Sequence, residues 1–223
     1  MKFSLVALCS VLAGLIGLPV HGAEIKLYPT GPAEDSAFVR FVDGSAAGLR
    51  VTAAGSAETL ELDAESRASA YMPVAGKTTI KGELAQGKDV QTVSVEILPS
   101  QFVTVLGVKA EEGLQVHTIH EEADDFTAVR ASIAFYDLNP SCGDAGVQVA
   151  GRQVFLFEHA EVGKWLRRQV NPVPLSVQLV CAGQPVGQPL DLGTLQAGER
   201  HSLFLVPGDP AGGFFHIKDT VAP

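Results

Sequence analysis

Apolar side chains recur at every second position along much of this chain. Leu49, Val51 and Ala53 alternate with Arg50 and Thr52, Leu60 and Leu62 with Thr59, Glu61 and Asp63, and Val93, Val95 and Ile97 with Ser94 and Glu96. Successive side chains of an extended strand point to opposite faces, so each stretch buries one face and wets the other. Clusters of Gly, Asp, Asn and Pro interrupt the strands at Asp43-Gly44, Ala75-Gly76, Gln86-Gly87, Asn139-Pro140, Ala197-Gly198 and Gly208-Asp209-Pro210. Short strands with frequent turns predict an all-β chain of antiparallel β-sandwiches, Ig-like or jelly-roll-like. Glu158 to Gln169 reads as helix-like, but Gly163 interrupts it and limits any helix there to a turn or two.

The pattern also repeats. Phe41-Val42-Asp43, Gly48-Leu49-Arg50-Val51, Leu60-Glu61-Leu62, Arg67 and Pro73-Val74 are echoed by Phe135-Tyr136-Asp137, Gly146-Val147-Gln148-Val149, Phe155-Leu156-Phe157, Arg167 and Pro172-Val173. Leu98 precedes Thr104-Val105-Leu106 much as Leu195 precedes Ser202-Leu203-Phe204. Two related tandem sandwiches fit this order better than one large one. The densest acid lies between them, at Glu111-Glu112 and Glu121-Glu122-Ala123-Asp124-Asp125. The expected organisation is therefore a signal segment over 1–22, a first sandwich over 23–110, an acidic interdomain segment over 111–125 and a second sandwich over 126–223.

The amino terminus carries Lys2, an apolar run from Phe3 to Val20, and small residues after it, the layout of a cleaved secretory signal. Cleavage is expected before Ala23. Gly14, Gly17 and Pro19 argue against a spanning anchor, and Leu8 before Cys9 argues against a lipidation site. Loss of residues 1–22 leaves 201 residues and moves the formal net charge from −9 to −10. That charge opposes nucleic acid, anionic lipid and polyanionic sugar as partners. Of three cysteines, Cys142 and Cys181 remain, and Cys181 shares the strand phase of Leu175, Val177 and Leu179. An exported chain with a core-facing cysteine predicts a Cys142–Cys181 disulfide.

Nucleophilic catalysis needs a nucleophile, a base and an oxyanion hole. No Gly-x-Ser-x-Gly elbow occurs, Ser36 lacks the Gly-Asp-Ser block of SGNH esterases, and no His has an Asp three residues before it. A triad from distant parts, such as Ser36 with His201, is the weakest reading. His117 and His120 stand beside Glu121, Glu122, Asp124 and Asp125, but on a strand residues three apart diverge, so no metal site is expected. No cofactor motif is evident. Two candidate binding patches stand out. Trp165 lies among Lys164, Arg167 and Arg168, a cationic cluster in an acidic protein that suits a sugar or a carboxylate, although a packed Trp165 with solvated neighbours is the commoner arrangement. The block from Leu27 to Arg40, with Tyr28, Asp35 and Arg40, carries two prolines before a strand.

That block, the Phe135-Tyr136-Asp137 strand, Asn171-Pro172-Val173, Leu190-Asp191-Leu192-Gly193 and the run Ser202 to Pro207 together resemble the AlgF family of periplasmic alginate O-acetylation proteins. The resemblance covers essentially the whole mature chain. It implies a periplasmic role in adding acetyl groups at O-2 and O-3 of mannuronate residues in the exopolysaccharide. It also implies action beside a membrane-bound acetyl-transfer protein and periplasmic acetyltransferases. The family supplies no established catalytic motif to transfer to these residues. The expectation is thus a non-catalytic adaptor. A carbohydrate-binding module contacting the polyuronate is the alternative, and an acetyl-transferring enzyme the third reading.

Overall fold

The computed structural model describes residues 36–122 and 129–222. The first half contains β1 (Ser36–Asp43), β2 (Leu49–Ala53), β3 (Thr59–Leu62), β4 (Met72–Ala75), β5 (Thr78–Gln86), β6 (Asp89–Ile97), β7 (Gln101–Ala110) and β8 (Gly113–Glu122). The second contains β9 (Ala131–Asp137), β10 (Ala145–Val149), β11 (Phe155–Ala160), β12 (Lys164–Val170), β13 (Pro174–Cys181), β14 (Gln184–Thr194), β15 (Arg200–Leu205) and β16 (Phe214–Lys218). One helical turn, α1 (Pro210–Gly213), precedes β16, with Asp209 accepting from the Ala211 amide as its cap. No helix among the described residues is long and apolar enough to cross a membrane.

Each half is a sandwich of two four-stranded sheets. The first pairs β3-β2-β5-β6 with β4-β1-β7-β8, and the second pairs β11-β10-β13-β14 with β12-β9-β15-β16. Adding eight to each strand number of the first sandwich reproduces the second. All pairings are antiparallel except β1 with β7 and β9 with β15. Residue correspondence is close in the inner sheets. Phe41 stands opposite Val105, as Phe135 stands opposite Leu203. The Pro73-Val74 echo is displaced, however: Pro73 lies in β4, whose counterpart is β12, whereas Pro172-Val173 fall before β13.

The two sheets containing β1 and β9 are buried on both faces. Odd positions of β1 and β7, including Val39, Phe41, Val103 and Val105, fill the first core. Those of β9 and β15, including Ile133, Phe135, Leu203 and Leu205, fill the second. The even positions Val42, Leu106, Val108, Tyr136 and Phe204 form a third core between the sandwiches. Doubly covered strands read as continuous apolar runs, and every residue of β9 and of β15 is buried. The outer strands β2 and β6 keep the alternation. The carboxyl-terminal tail ties the halves further: the Tyr71 amide donates to Thr220 O at 2.7 Å, and the Ala222 amide to Tyr71 O at 2.8 Å.

Two local expectations change. The Glu158–Gln169 stretch contains no helix; it is the end of β11 and most of β12, joined by a turn in which Gly163 adopts φ +80°. Residues 113–122 of the acidic segment are β8, paired along its length with β7, and Glu121 is fully buried there.

Candidate functional site

Strand register disperses the cationic patch around Trp165. Residues of β12 alternate, so Leu166 packs on the second core while Trp165 packs on the interface core. The Trp165 indole donates to His120 O at 3.1 Å. Arg167, on the same face, is buried and donates to Glu121 Oε2 and, at 3.0 Å, to Ser132 Oγ. Arg168 points the other way and donates to the main-chain oxygens of Phe155 and Leu156, each at 3.0 Å. The three side chains thus do not form one sugar-binding face. Arg40 is likewise buried rather than presented. Tyr28 and Asp35 lie outside the described residues.

Arg40 and Arg167 instead belong to a polar network sealed between the sandwiches. Arg40 Nη1 pairs with Asp219 at 2.6 Å, its Nε donates to Thr104 Oγ1 at 2.9 Å, and its Nη2 donates to Ser202 Oγ at 2.9 Å. Thr104 on β7 and Ser202 on β15 occupy equivalent positions, facing Arg40 and Ala134 across the two parallel pairs. Arg40 therefore bonds to both members of one repeat position. Burial is the largest single influence and opposes its charge, but Asp219, Tyr71, Tyr136 and Glu121 together outweigh it and the pKa is raised. Tyr136 donates its hydroxyl to Glu121 Oε1, and the Arg200 guanidinium lies 3.8 Å from Glu121 Oε2 and over the Phe102 ring. Burial pushes Tyr71 up to about 12 and Tyr136 well above its usual range, so both remain neutral donors. Side chains so paired and shielded from solvent cross-link the halves.

The histidines fall into separate settings. His117 turns toward the interface side of β8, and burial lowers its pKa; His120 bonds to Gln101 Oε1 at 3.2 Å on the opposite face. Among the described residues no three His, Cys, Asp or Glu side chains converge as a metal centre requires. Asp124 and Asp125 lie outside the described residues. His201 is committed to His216, ring nitrogens 2.8 Å apart, and to Glu199 at 3.2 Å, while Ser36 opens β1 in the other sandwich. Cys142 and Cys181 are disulfide-bonded with Cα atoms 4.9 Å apart, joining the turn before β10 to the end of β13.

One feature had no sequence signal. The edges of the first sandwich formed by β3 and β4 stand apart, leaving an apolar cleft of about 470 Å³. Leu60, Met72, Val74, Ile80 and Val93 line it, above a floor that includes Phe41 and Val51. Alternation assigns these residues to a core face, as they are, but cannot show that the two edges fail to meet. In the second sandwich the corresponding edges are joined, because Arg168 of β12 donates to two carbonyls at β11.

No protein-family model and no curated protein matches the chain. Among solved structures, the CBMbc module (family CBM26) of Eubacterium rectale Amy13K, in complex with maltoheptaose, is similar at 10% identity, over 84% of this chain and 98% of that one, with a TM-score of 0.25. A likeness of that size carries no argument about ligand or chemistry.

Proposed function

We propose that the chain is an exported, periplasmic, non-catalytic adaptor for O-acetylation of alginate, working with a membrane acetyl-transfer protein and periplasmic acetyltransferases. The observation that carries this reading is the burial of Arg40, Arg167, Glu121 and Asp219 in the junction between sandwiches. These four groups, which on a surface would suit a uronate or a proton transfer, are committed to holding two sandwiches together. The sheet edges and outer faces are then available for docking. The resemblance along the mature chain supplies the pathway, and the net charge of −10 disfavours direct contact with a polymer bearing a carboxylate on every sugar. Co-purification of the mature protein with each acetyltransferase tests the proposal; failure to associate in every pairing refutes it.

A second reading, a module that contacts the polyuronate, rests on Trp165, whose ring stays partly open on the edge strand β12 beside exposed Lys164. Titration with oligomannuronate while following Trp165 fluorescence decides it, since a ring stacked by a sugar changes emission and an untouched one does not.

A further inference from the structure

From the β3–β4 cleft we infer a docking site for an extended segment of a partner protein that alternates apolar with basic side chains. This inference deepens the adaptor reading and rests on it only for the partner's identity.

The second sandwich acts as an internal control. It has the same strand order, yet its β12 runs for seven residues and Arg168 bridges to β11, whereas β3 and β4 have four residues each. The first sandwich therefore lacks at this edge what the second supplies from its own chain. The walls of the cleft are predominantly apolar, with Thr52, Ser56, Glu58, Thr59 and a single cation, Lys81, also in the lining, and both bordering strands are sheet edges. An edge offers main-chain donors and acceptors that an acyl chain cannot satisfy and an incoming strand can. Pro73 leaves β4 one main-chain donor short, which makes β3 the better template.

Charge selects the occupant further. Glu58, Glu61, Asp63 and Glu65 flank the β3 edge, all exposed, and Glu61 pairs with Arg50 at 3.4 Å. A segment with apolar residues facing the cleft and lysine or arginine facing outward meets both the apolar floor and the acidic border. Repulsion at that border opposes an acidic segment of the same apolar pattern.

The test uses the full mature protein and a synthetic peptide of about eight alternating Leu and Lys residues, which at about 3.3 Å per residue spans β3. Hydrogen exchange is followed with this peptide, with a Leu-Glu peptide of equal length, and with dodecanoate. The expected result is slowed exchange over residues 58–63 with the Leu-Lys peptide alone. Met72→Lys, which places a charge in the cleft, should weaken that binding by about ten-fold or more. Val74→Thr, nearly isosteric, should weaken it less and guards against a Met72→Lys protein that fails to fold. The inference is overturned if residues 58–63 exchange as before, if the Leu-Glu peptide binds equally well, or if dodecanoate displaces the Leu-Lys peptide. Self-association that disappears in Val74→Thr would also overturn it, by assigning the cleft to a second copy. Failure to co-purify with any acetyltransferase removes the adaptor reading but not the cleft; acetyltransferase binding that leaves residues 58–63 unprotected removes the cleft but not the adaptor.

Discussion

Arg40 on β1 of the first sandwich and Asp219 beyond β16 of the second form an ion pair at 2.6 Å, their side chains 1% and 2% exposed. A charge pair so far from water makes the geometry between the sandwiches specific, because either partner alone is left buried and uncompensated. Asp219→Ala should therefore destabilise the protein by about 3–5 kcal/mol, out of a total that is typically about 5–15 kcal/mol. Replacing both partners by apolar residues, Arg40→Met with Asp219→Leu, should recover most of that loss. Urea unfolding of the unaltered protein, Arg40→Met, Asp219→Leu and the double variant measures the coupling.

Arg167 and Arg168 are neighbours with opposite fates. Arg167→Ala removes the nearer cation from buried Glu121, leaving it the Tyr136 hydroxyl and the more distant Arg200, and should cost about 3 kcal/mol, the low end for a broken buried pair. Arg168→Ala removes two hydrogen bonds from an exposed side chain and should cost about 1 kcal/mol or less. Equal losses in thermal unfolding would contradict the assignment of Trp165 and Arg167 to the interface face of β12.

Much of this fold was legible in the sequence. The outer strands β2, β3 and β6 and the phase of Cys181 followed from alternation, because one face of an outer strand meets water. The inner strands hid their partners. In Phe135-Tyr136-Asp137, Phe135 faces one core and Tyr136 another, and nothing local distinguishes the two apolar environments. The burial of Arg40 and Arg167 was hidden for a related reason. Arg167 and Glu121 are 46 residues apart, each inside a charged run of the kind that usually marks a solvated surface. Their pairing depends on two sheets meeting face to face.

Acid should weaken the protein through the imidazoles of β15 and β16. Burial, with His201 close by, lowers His216 to about 4, and burial also lowers His201 and His117. The unfolded chain takes up protons near pH 6.5 while the folded one resists, so stability present above that pH declines as pH falls toward about 4. Glu199, held down to about 2 chiefly by its hydrogen bond from Lys218, adds a loss at still lower pH, below its ordinary value of 4.5. His216→Gln should reduce the slope of unfolding free energy against pH between about 4 and 6.5, by at most about 1.4 kcal/mol per pH unit for one proton. An unchanged slope would show that His216 titrates normally in the folded protein.

Reduction of the Cys142–Cys181 bridge should lower stability. Its partners are 39 residues apart, and closing a loop of that size is worth about 4 kcal/mol on chain-entropy grounds. Thermal unfolding of the protein and of Cys142→Ser/Cys181→Ser, each with and without reductant, checks this: reductant should affect only the first.

On the adaptor proposal the chain acts by docking rather than by chemistry of its own. The most direct measurement is co-elution of the mature protein with each periplasmic acetyltransferase on size exclusion at physiological salt. A complex with at least one of them is the predicted result, while independent migration in every pairing would contradict the account.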